Sequence, residues 1–168
     1  MRIALSGVSK QTKELLATEI LRRWPDQCPP LLDTFAPKIR DYLKYRTLNE
    51  YSLKLYHHTQ PNFLTVFPLY DCCVIVSGFS YDDTAGEYFR ILRAIQYDRV
   101  FYIPYGNGEI SMSPSPFFAE LDHELKLMLD FFRVPYNVLI GAVEQMVDQI
   151  GFVLGWARPI LIEEKSDV

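Results

Sequence analysis

The first fourteen residues place the tightest constraint on how this chain can fold. A short apolar run over 3–5 ends in Ser6-Gly7, a polar stretch follows, and apolar residues at helical spacing begin with Leu15-Leu16. Phosphate-binding loops are built in this order, because the turn amides and the positive end of the helix dipole then point at one spot. The stretch therefore predicts a buried first strand, an anion-binding turn and a helix.

The polar stretch matches half of the Walker A pattern, G-x-x-x-x-G-K-[ST]. Gly7 and Lys13 fit the pattern, whereas Thr12 stands where the second glycine belongs and Glu14 replaces the magnesium-binding hydroxyl. A threonine side chain would crowd the phosphates. A carboxylate about 4 Å from a phosphate charge is repelled by about 4 kcal/mol at an effective dielectric near 20. The nucleotide-binding candidates are Gly7, Lys10, Thr12, Lys13 and Glu14, although Lys10 and Lys13 also fit solvated helix positions.

Apolar runs and helical periodicity alternate along the rest of the chain. Strands are predicted over 3–5, 28–34, 72–76, 99–103 and 134–140. Helices are predicted over 12–24, 37–58, 84–95, 116–132 and 142–154, and a loop with a short helical or extended piece over 59–70. Five alternations predict a three-layer α/β fold, in which helices cover both faces of a five-stranded parallel sheet.

Ligands of such sheets bind at the carboxyl ends of the strands. In this chain those ends are predicted at Ser6-Gly7, Ser77-Gly78, Pro104 and Gly141. We expect one domain over 1–157 and a C-terminal tail over 158–168.

Composition narrows the classes of function. The chain has 168 residues and a formal net charge of −4, which argues against broad electrostatic attraction to nucleic acid. One local basic stretch remains, formed by Lys38, Arg40, Lys44 and Arg46. No apolar run approaches the roughly 20 residues that span a bilayer, and no signal-peptide pattern is present, so we expect a cytoplasmic protein without membrane contact.

The three cysteines are predicted to be reduced core thiols. Their number is odd, and Cys72 and Cys73 are adjacent in an apolar run. No metal site is predicted, because Asp122-His123-Glu124 has no second histidine at metal-ligand spacing and His57-His58 suits a helix end.

Two later segments carry a family resemblance, namely Tyr97 to Pro104 and Val134 to Gly141, the second followed by Val143-Glu144-Gln145-Met146. With the N-terminal stretch, their order and spacing resemble the P-loop nucleotide-kinase-like proteins of a small AAA-labelled group. That group includes the ribosyl-nicotinamide kinase domain of a bacterial NAD-biosynthesis regulator and related phage proteins. The resemblance covers nearly the whole chain. It implies a P-loop NTPase fold, and it implies that the protein uses ATP with Mg²⁺.

The resemblance also implies substrate-binding roles for Arg40 and Asp82. Arg40 keeps the arginine of the family's Glu-x-x-Arg motif, whose glutamate is lost, and Asp82 is the second aspartate of Asp-Arg-x-x-x-Asp. Ser77-Gly78 replaces the first Asp-Arg pair, Met146 stands where relatives tend to carry an arginine, and the lid-like loop 105–116 has no arginine. From the residues alone, Arg40 could equally pair with a nearby acid, and Asp82 could cap a helix.

These losses at chemical positions favour a protein of nucleotide-kinase fold that has lost standard phosphoryl transfer. Such a protein would act by binding a nucleotide or a protein partner. The alternative is an active ATP-dependent nucleoside or nucleotide kinase, or an ATPase, that uses Lys13 and Arg40 with Glu14 as an unusual metal ligand. Whether the chain is an enzyme, what it binds and its oligomeric state stay open at this stage.

Overall fold

The computed structural model of the chain describes residues 1–32, 61–79, 96–107 and 115–157. Within these ranges four parallel strands form one sheet. The strands are β1 (Arg2–Ser6), β2 (Phe63–Thr65), β3 (Arg99–Tyr102) and β4 (Tyr136–Val138), in the spatial order β2-β1-β3-β4. The parallel α/β fold predicted from the sequence is therefore confirmed, with four strands in the described residues where five were expected.

The register of the sheet aligns the carboxyl ends of its central strands. Arg2 of β1 pairs with Phe63 of β2, and Ile3 pairs with Arg99 of β3. β4 joins the other side of β3, beginning with the pair Val100 and Tyr136. Beyond β2, the predicted strand over 28–34 is represented in the described residues by a single parallel bridge from Leu31 to Leu64.

The described helices are α1 (Lys10–Arg23), α2 (Leu69–Phe79), α3 (Pro116–Phe131) and α4 (Val143–Leu154). α1 packs against α4, and α2 packs against α3. Residues 3–6 of β1 are all buried. Because successive strand residues point to opposite faces of a sheet, helices must cover β1 on both sides. None of the described helices is long and apolar enough to cross a bilayer.

Most predicted elements agree with the structure to within a few residues. The helices expected over 12–24, 116–132 and 142–154 correspond to α1, α3 and α4, and the strands expected over 3–5, 99–103 and 134–140 correspond to β1, β3 and β4. All three cysteines are buried and free, as predicted. The helices predicted over 37–58 and 84–95, and the tail over 158–168, lie outside the described residues.

The predicted strand over 72–76 is wrong, because this run belongs to α2. Cys72, Cys73 and Val74 are consecutive and all buried, and a fully buried helix gives the same continuous apolar run as a fully buried strand. Ser77-Gly78 therefore lies inside a helix and not at the carboxyl end of a strand. The strand that precedes α2 is β2, within the segment for which a loop with a short helical or extended piece was predicted.

Candidate functional site

The turn between β1 and α1 is short, since it contains only Gly7, Val8 and Ser9. Ser9 caps the helix: its Oγ accepts a hydrogen bond from the amide of Thr12 at 3.3 Å and lies 2.7 Å from Thr12 Oγ1. The amide of Lys13 donates to the carbonyl oxygen of Ser9 at 3.3 Å. A Walker A loop surrounds a phosphate with amides along this whole stretch, whereas here residues 10–13 already form the first turn of α1.

A buried carboxylate lies beneath this turn. Asp71, near the start of α2, accepts hydrogen bonds from Ser6 Oγ at 2.5 Å, from the Gly7 amide at 3.0 Å and from Lys13 Nζ at 2.5 Å. Asp71 is 1% exposed and Lys13 is 2% exposed. The Lys13 ammonium also lies 5.1 Å from the centre of the Phe67 ring. The lysine side chain thus points into the protein interior.

Burial dominates the electrostatics of Asp71. It raises the pKa of this carboxyl group above its ordinary value, and the Lys13 ammonium and the hydrogen bonds from Ser6 and Gly7 oppose that rise. In such a buried ion pair, removing one partner strands an uncompensated charge in a low-dielectric environment. Lys13 and Asp71 are therefore held to each other by the cost of separating them.

Gly7 is required by its surroundings. Its φ of +151° is rarely adopted by other residues, and a Cβ atom at this position would lie 2.6 Å from the carbonyl oxygen of Ile103. The first glycine of the Walker pattern thus has a structural explanation in this chain, the close approach of the β1–α1 turn to the segment that follows β3.

The structure brings together only part of the predicted site. Gly7, Thr12 and Lys13 meet at the turn, as described above. Lys10 and Glu14 lie on the exposed side of α1 and form an ion pair at 3.5 Å, with about half of each side chain exposed. Arg40 and Asp82 lie outside the described residues, so their predicted roles stay predictions. Asp71 was missed, because the apolar run after it was assigned to a strand.

The segment that follows β4 is held by two side-chain amides. Asn107 donates to the carbonyl oxygen of Leu139 at 2.7 Å and accepts from the Gly141 amide at 3.0 Å. Gln149 donates to the carbonyl oxygen of Ile140 at 2.7 Å and accepts from the Ile140 amide at 3.3 Å. The side chains that hold this rim of the sheet are therefore uncharged amides. Met146 is fully buried beside it.

In the part of the chain that the structure describes, no group of three or more His, Cys, Asp or Glu side chains is arranged to hold a metal ion. The hydroxyl of Thr12 is engaged with Ser9, and the carboxylate of Glu14 is paired with Lys10. In their present arrangement, the residues of this turn do not fit a magnesium-bound triphosphate.

The comparisons with known proteins concern the fold. No protein-family model matches the sequence, and no curated protein matches it. Among solved structures, the chain is similar to a deoxyadenosine kinase from M. mycoides with the products dCMP and a flexible dCDP bound. The TM-score is 0.65 at 15% identity, covering 94% of this chain and 100% of that one. The same kinase with bound dATP gives a TM-score of 0.58 at 14% identity, covering 92% and 100%.

This likeness defines the class of the chain as an α/β protein of P-loop kinase-like fold. At such low identity the fold is what the two proteins share, and the nucleotides in those structures belong to the kinase.

Proposed function

We propose that this protein keeps the nucleotide-kinase fold, has lost standard phosphoryl transfer, and acts by binding a protein partner or a nucleotide. The observation that supports this proposal most strongly is the buried pair of Lys13 and Asp71. In a Walker A loop the corresponding lysine reaches the β- and γ-phosphates. Here that lysine is already neutralised by a carboxylate of the protein.

The free-energy cost of breaking that ion pair determines how strongly ATP binding is disfavoured. To reach a phosphate, Lys13 must leave Asp71, and stranding one member of a buried pair costs about 3–5 kcal/mol. At about 1.4 kcal/mol per decade, this cost lowers triphosphate affinity by about two to four orders of magnitude. The shape of the turn adds to the penalty, because the helical start at Lys10 replaces the open loop that would surround the phosphates.

Asp71 also lies at the turn as a bound anion would. It accepts hydrogen bonds from the Gly7 amide and from Lys13 Nζ, and a backbone amide and this lysine are the two kinds of donor that a phosphate loop offers to a nucleotide. We infer that Asp71 acts as an internal anion that competes with any external phosphate. Bound ATP with Mg²⁺ would have to displace it.

Calorimetric titration tests the proposal directly. Wild-type protein is titrated with ATP plus Mg²⁺, with dATP plus Mg²⁺ and with pyrophosphate, and phosphoryl transfer to nucleosides is assayed in parallel. If the protein acts through a protein partner, we expect no saturable triphosphate binding at micromolar concentrations; neither version of the proposal predicts turnover. The variant Asp71→Asn removes the internal charge and should bind pyrophosphate at least about tenfold more tightly than wild type.

A matched substitution separates the internal anion from general charge effects. Asp148→Asn removes a carboxylate that pairs with Arg23 on the surface, so it should leave pyrophosphate affinity unchanged. Circular dichroism of each variant confirms that it is folded. Tight ATP binding with turnover by the wild type, abolished in Lys13→Ala, would show that the proposal is wrong.

The alternative function is an active nucleoside or nucleotide kinase, favoured by the likeness to deoxyadenosine kinase over 94% of this chain. In that case Lys13 would exchange Asp71 for the phosphates when substrate binds, and ATP with Mg²⁺ would be the cofactors. Measured phosphoryl transfer that survives Lys13→Ala unchanged would rule this alternative out.

A further inference from the structure

A shallow, open apolar groove lies at the C-terminal end of α3, away from the β1–α1 turn. Its volume is about 620 Å³, and it is lined by Leu127, Met128, Asp130, Phe131 and Phe132. Leu127 is 54% exposed and Phe131 is 72% exposed. Large apolar side chains exposed side by side along a groove are typical of protein interaction sites.

The exposed side chains continue as a stripe along the helix. Leu127 and Phe131 are one turn apart, and the same stripe continues toward the N-terminus through Glu124 and Glu120, at the spacing that places residues on one helix face. All four positions are exposed. The stripe is therefore apolar over its last turn and acidic over the two turns before it.

The helix that carries the groove is acidic on balance, and Arg133 follows its C-cap residue. α3 carries four acidic residues and one lysine, and the C-terminal end of a helix adds a partial negative charge. The lysine, Lys126, is paired with Asp130 at 2.8 Å, and Asp130 also accepts a hydrogen bond from Tyr136 at 2.9 Å. No ion pair of Glu120 or Glu124 is found among the described residues.

We propose that this groove binds a basic amphipathic helix of a partner protein. Two apolar side chains of that helix, one turn apart, pack against Leu127 and Phe131, and lysine or arginine side chains one to two turns farther along contact Glu124 and Glu120. Recognition of a helix in a groove uses this combination of apolar anchors and flanking charge. An anionic membrane surface is a poor occupant, because the same glutamates repel it.

The groove is independent of the turn that holds Lys13. α3 leads into the amino end of β4, so its last turn lies at the edge of the sheet opposite to the carboxyl ends of the strands. A protein that bound and hydrolysed ATP could still carry this docking surface. The inference therefore does not depend on the loss of phosphoryl transfer.

Two labelled peptides of about 18 residues serve as probes in a fluorescence-anisotropy titration. Both are amphipathic helices with leucines one turn apart; one carries lysines at the two flanking positions, and the other carries glutamates there. We expect the basic peptide to bind at least about tenfold more tightly than the acidic one, with affinity falling as salt rises. Phe131→Ser should weaken the basic peptide by about tenfold or more, as loss of a central aromatic anchor does.

Two further variants make the test specific. Glu120→Lys combined with Glu124→Lys should reverse the preference between the peptides. Phe152→Ser, which alters an equally exposed phenylalanine (76%) on α4, should change neither affinity. The proposal is overturned if neither peptide binds, if both bind equally, if Phe152→Ser acts like Phe131→Ser, or if sedimentation shows a dimer that Phe131→Ser dissociates.

Discussion

Replacing Lys13 with methionine should destabilise the fold by an amount that depends on pH. Methionine keeps most of the buried volume but removes the ammonium, so Asp71 is left with the donors Ser6 and Gly7 alone. An uncompensated buried carboxylate either costs about 3–5 kcal/mol or takes up a proton. Protonating an aspartate of ordinary pKa near 3.9 at pH 7 costs about 4 kcal/mol, from about 1.36 kcal/mol per pH unit. The loss at pH 7 is therefore about 4 kcal/mol.

The same reasoning fixes the direction of the pH dependence. In Lys13→Met the pKa of Asp71 lies above its unfolded value, so the protonated group favours the fold at low pH and that stability is lost as the pH rises. At pH 5 the penalty falls to about 1.5 kcal/mol. For a chain of this size a loss of about 4 kcal/mol lowers the Tm by about 8–16 °C. Thermal and urea unfolding at pH 5, 6 and 7 would measure both quantities.

Two control variants isolate the buried charge as the cause. Lys13→Met with Asp71→Asn leaves no charge, while the asparagine can still bond to Ser6 and Gly7, so most of the stability at pH 7 should return and its pH dependence should disappear. Lys10→Met breaks a half-exposed pair in the same helix and should have little effect. If the loss in Lys13→Met is the same at pH 5 and pH 7, or if the double variant is no more stable than the single one, the buried-pair interpretation is refuted.

Three further predictions concern close contacts and burial. Gly7→Ala should cost about 1–3 kcal/mol in urea unfolding, and more than Gly106→Ala, because a Cβ at Gly106 meets nothing within 4 Å; equal losses would contradict the close-contact explanation. Gly151→Ala should displace the indole of Trp24, whose ring atoms would lie 2.5 Å from the new Cβ, and an unchanged tryptophan emission spectrum would exclude this. Burial raises the thiol pKa to about 11 and about 12 for two of the cysteines and well above its ordinary value for the third. At pH 8 a thiol reagent should therefore modify Cys28, Cys72 and Cys73 only after the protein unfolds. Rapid labelling of the native protein would refute the burial of these thiols.

The elements with clear periodicity could be predicted from the sequence. α1, α3 and α4 each present buried residues at helical spacing, with polar residues at many of the positions between them. α2 could not be assigned in this way, because its sequence is continuously apolar from Cys72 to Val76 and such a run resembles a buried strand. One local signal did favour a helix, since Pro68 directly precedes Leu69 and proline is common where a helix begins.

The candidate site was predictable only where it is local in sequence. Gly7 and Lys13 follow from a motif, and the early start of α1 has a visible cause, the capping pair of Ser9 and Thr12. The partner of Lys13 could not be found in the same way. Asp71 lies 58 residues farther along the chain, and only the packing of α2 against the turn brings the two side chains together.

The substitution at Thr12 and the presence of Asp71 are physically linked. With no glycine in residues 8–12, α1 can begin at Lys10, and the helix then places Lys13 on the same buried face as Leu16, Ala17 and Ile20. A lysine on that face needs a buried counter-charge, which Asp71 supplies. Thr12→Gly alone should therefore fail to create a phosphate-binding loop, because Lys13 would still be held by Asp71. An open loop requires the glycine and the loss of the carboxylate together, so that the double variant Thr12→Gly with Asp71→Asn should bind pyrophosphate more tightly than either single variant.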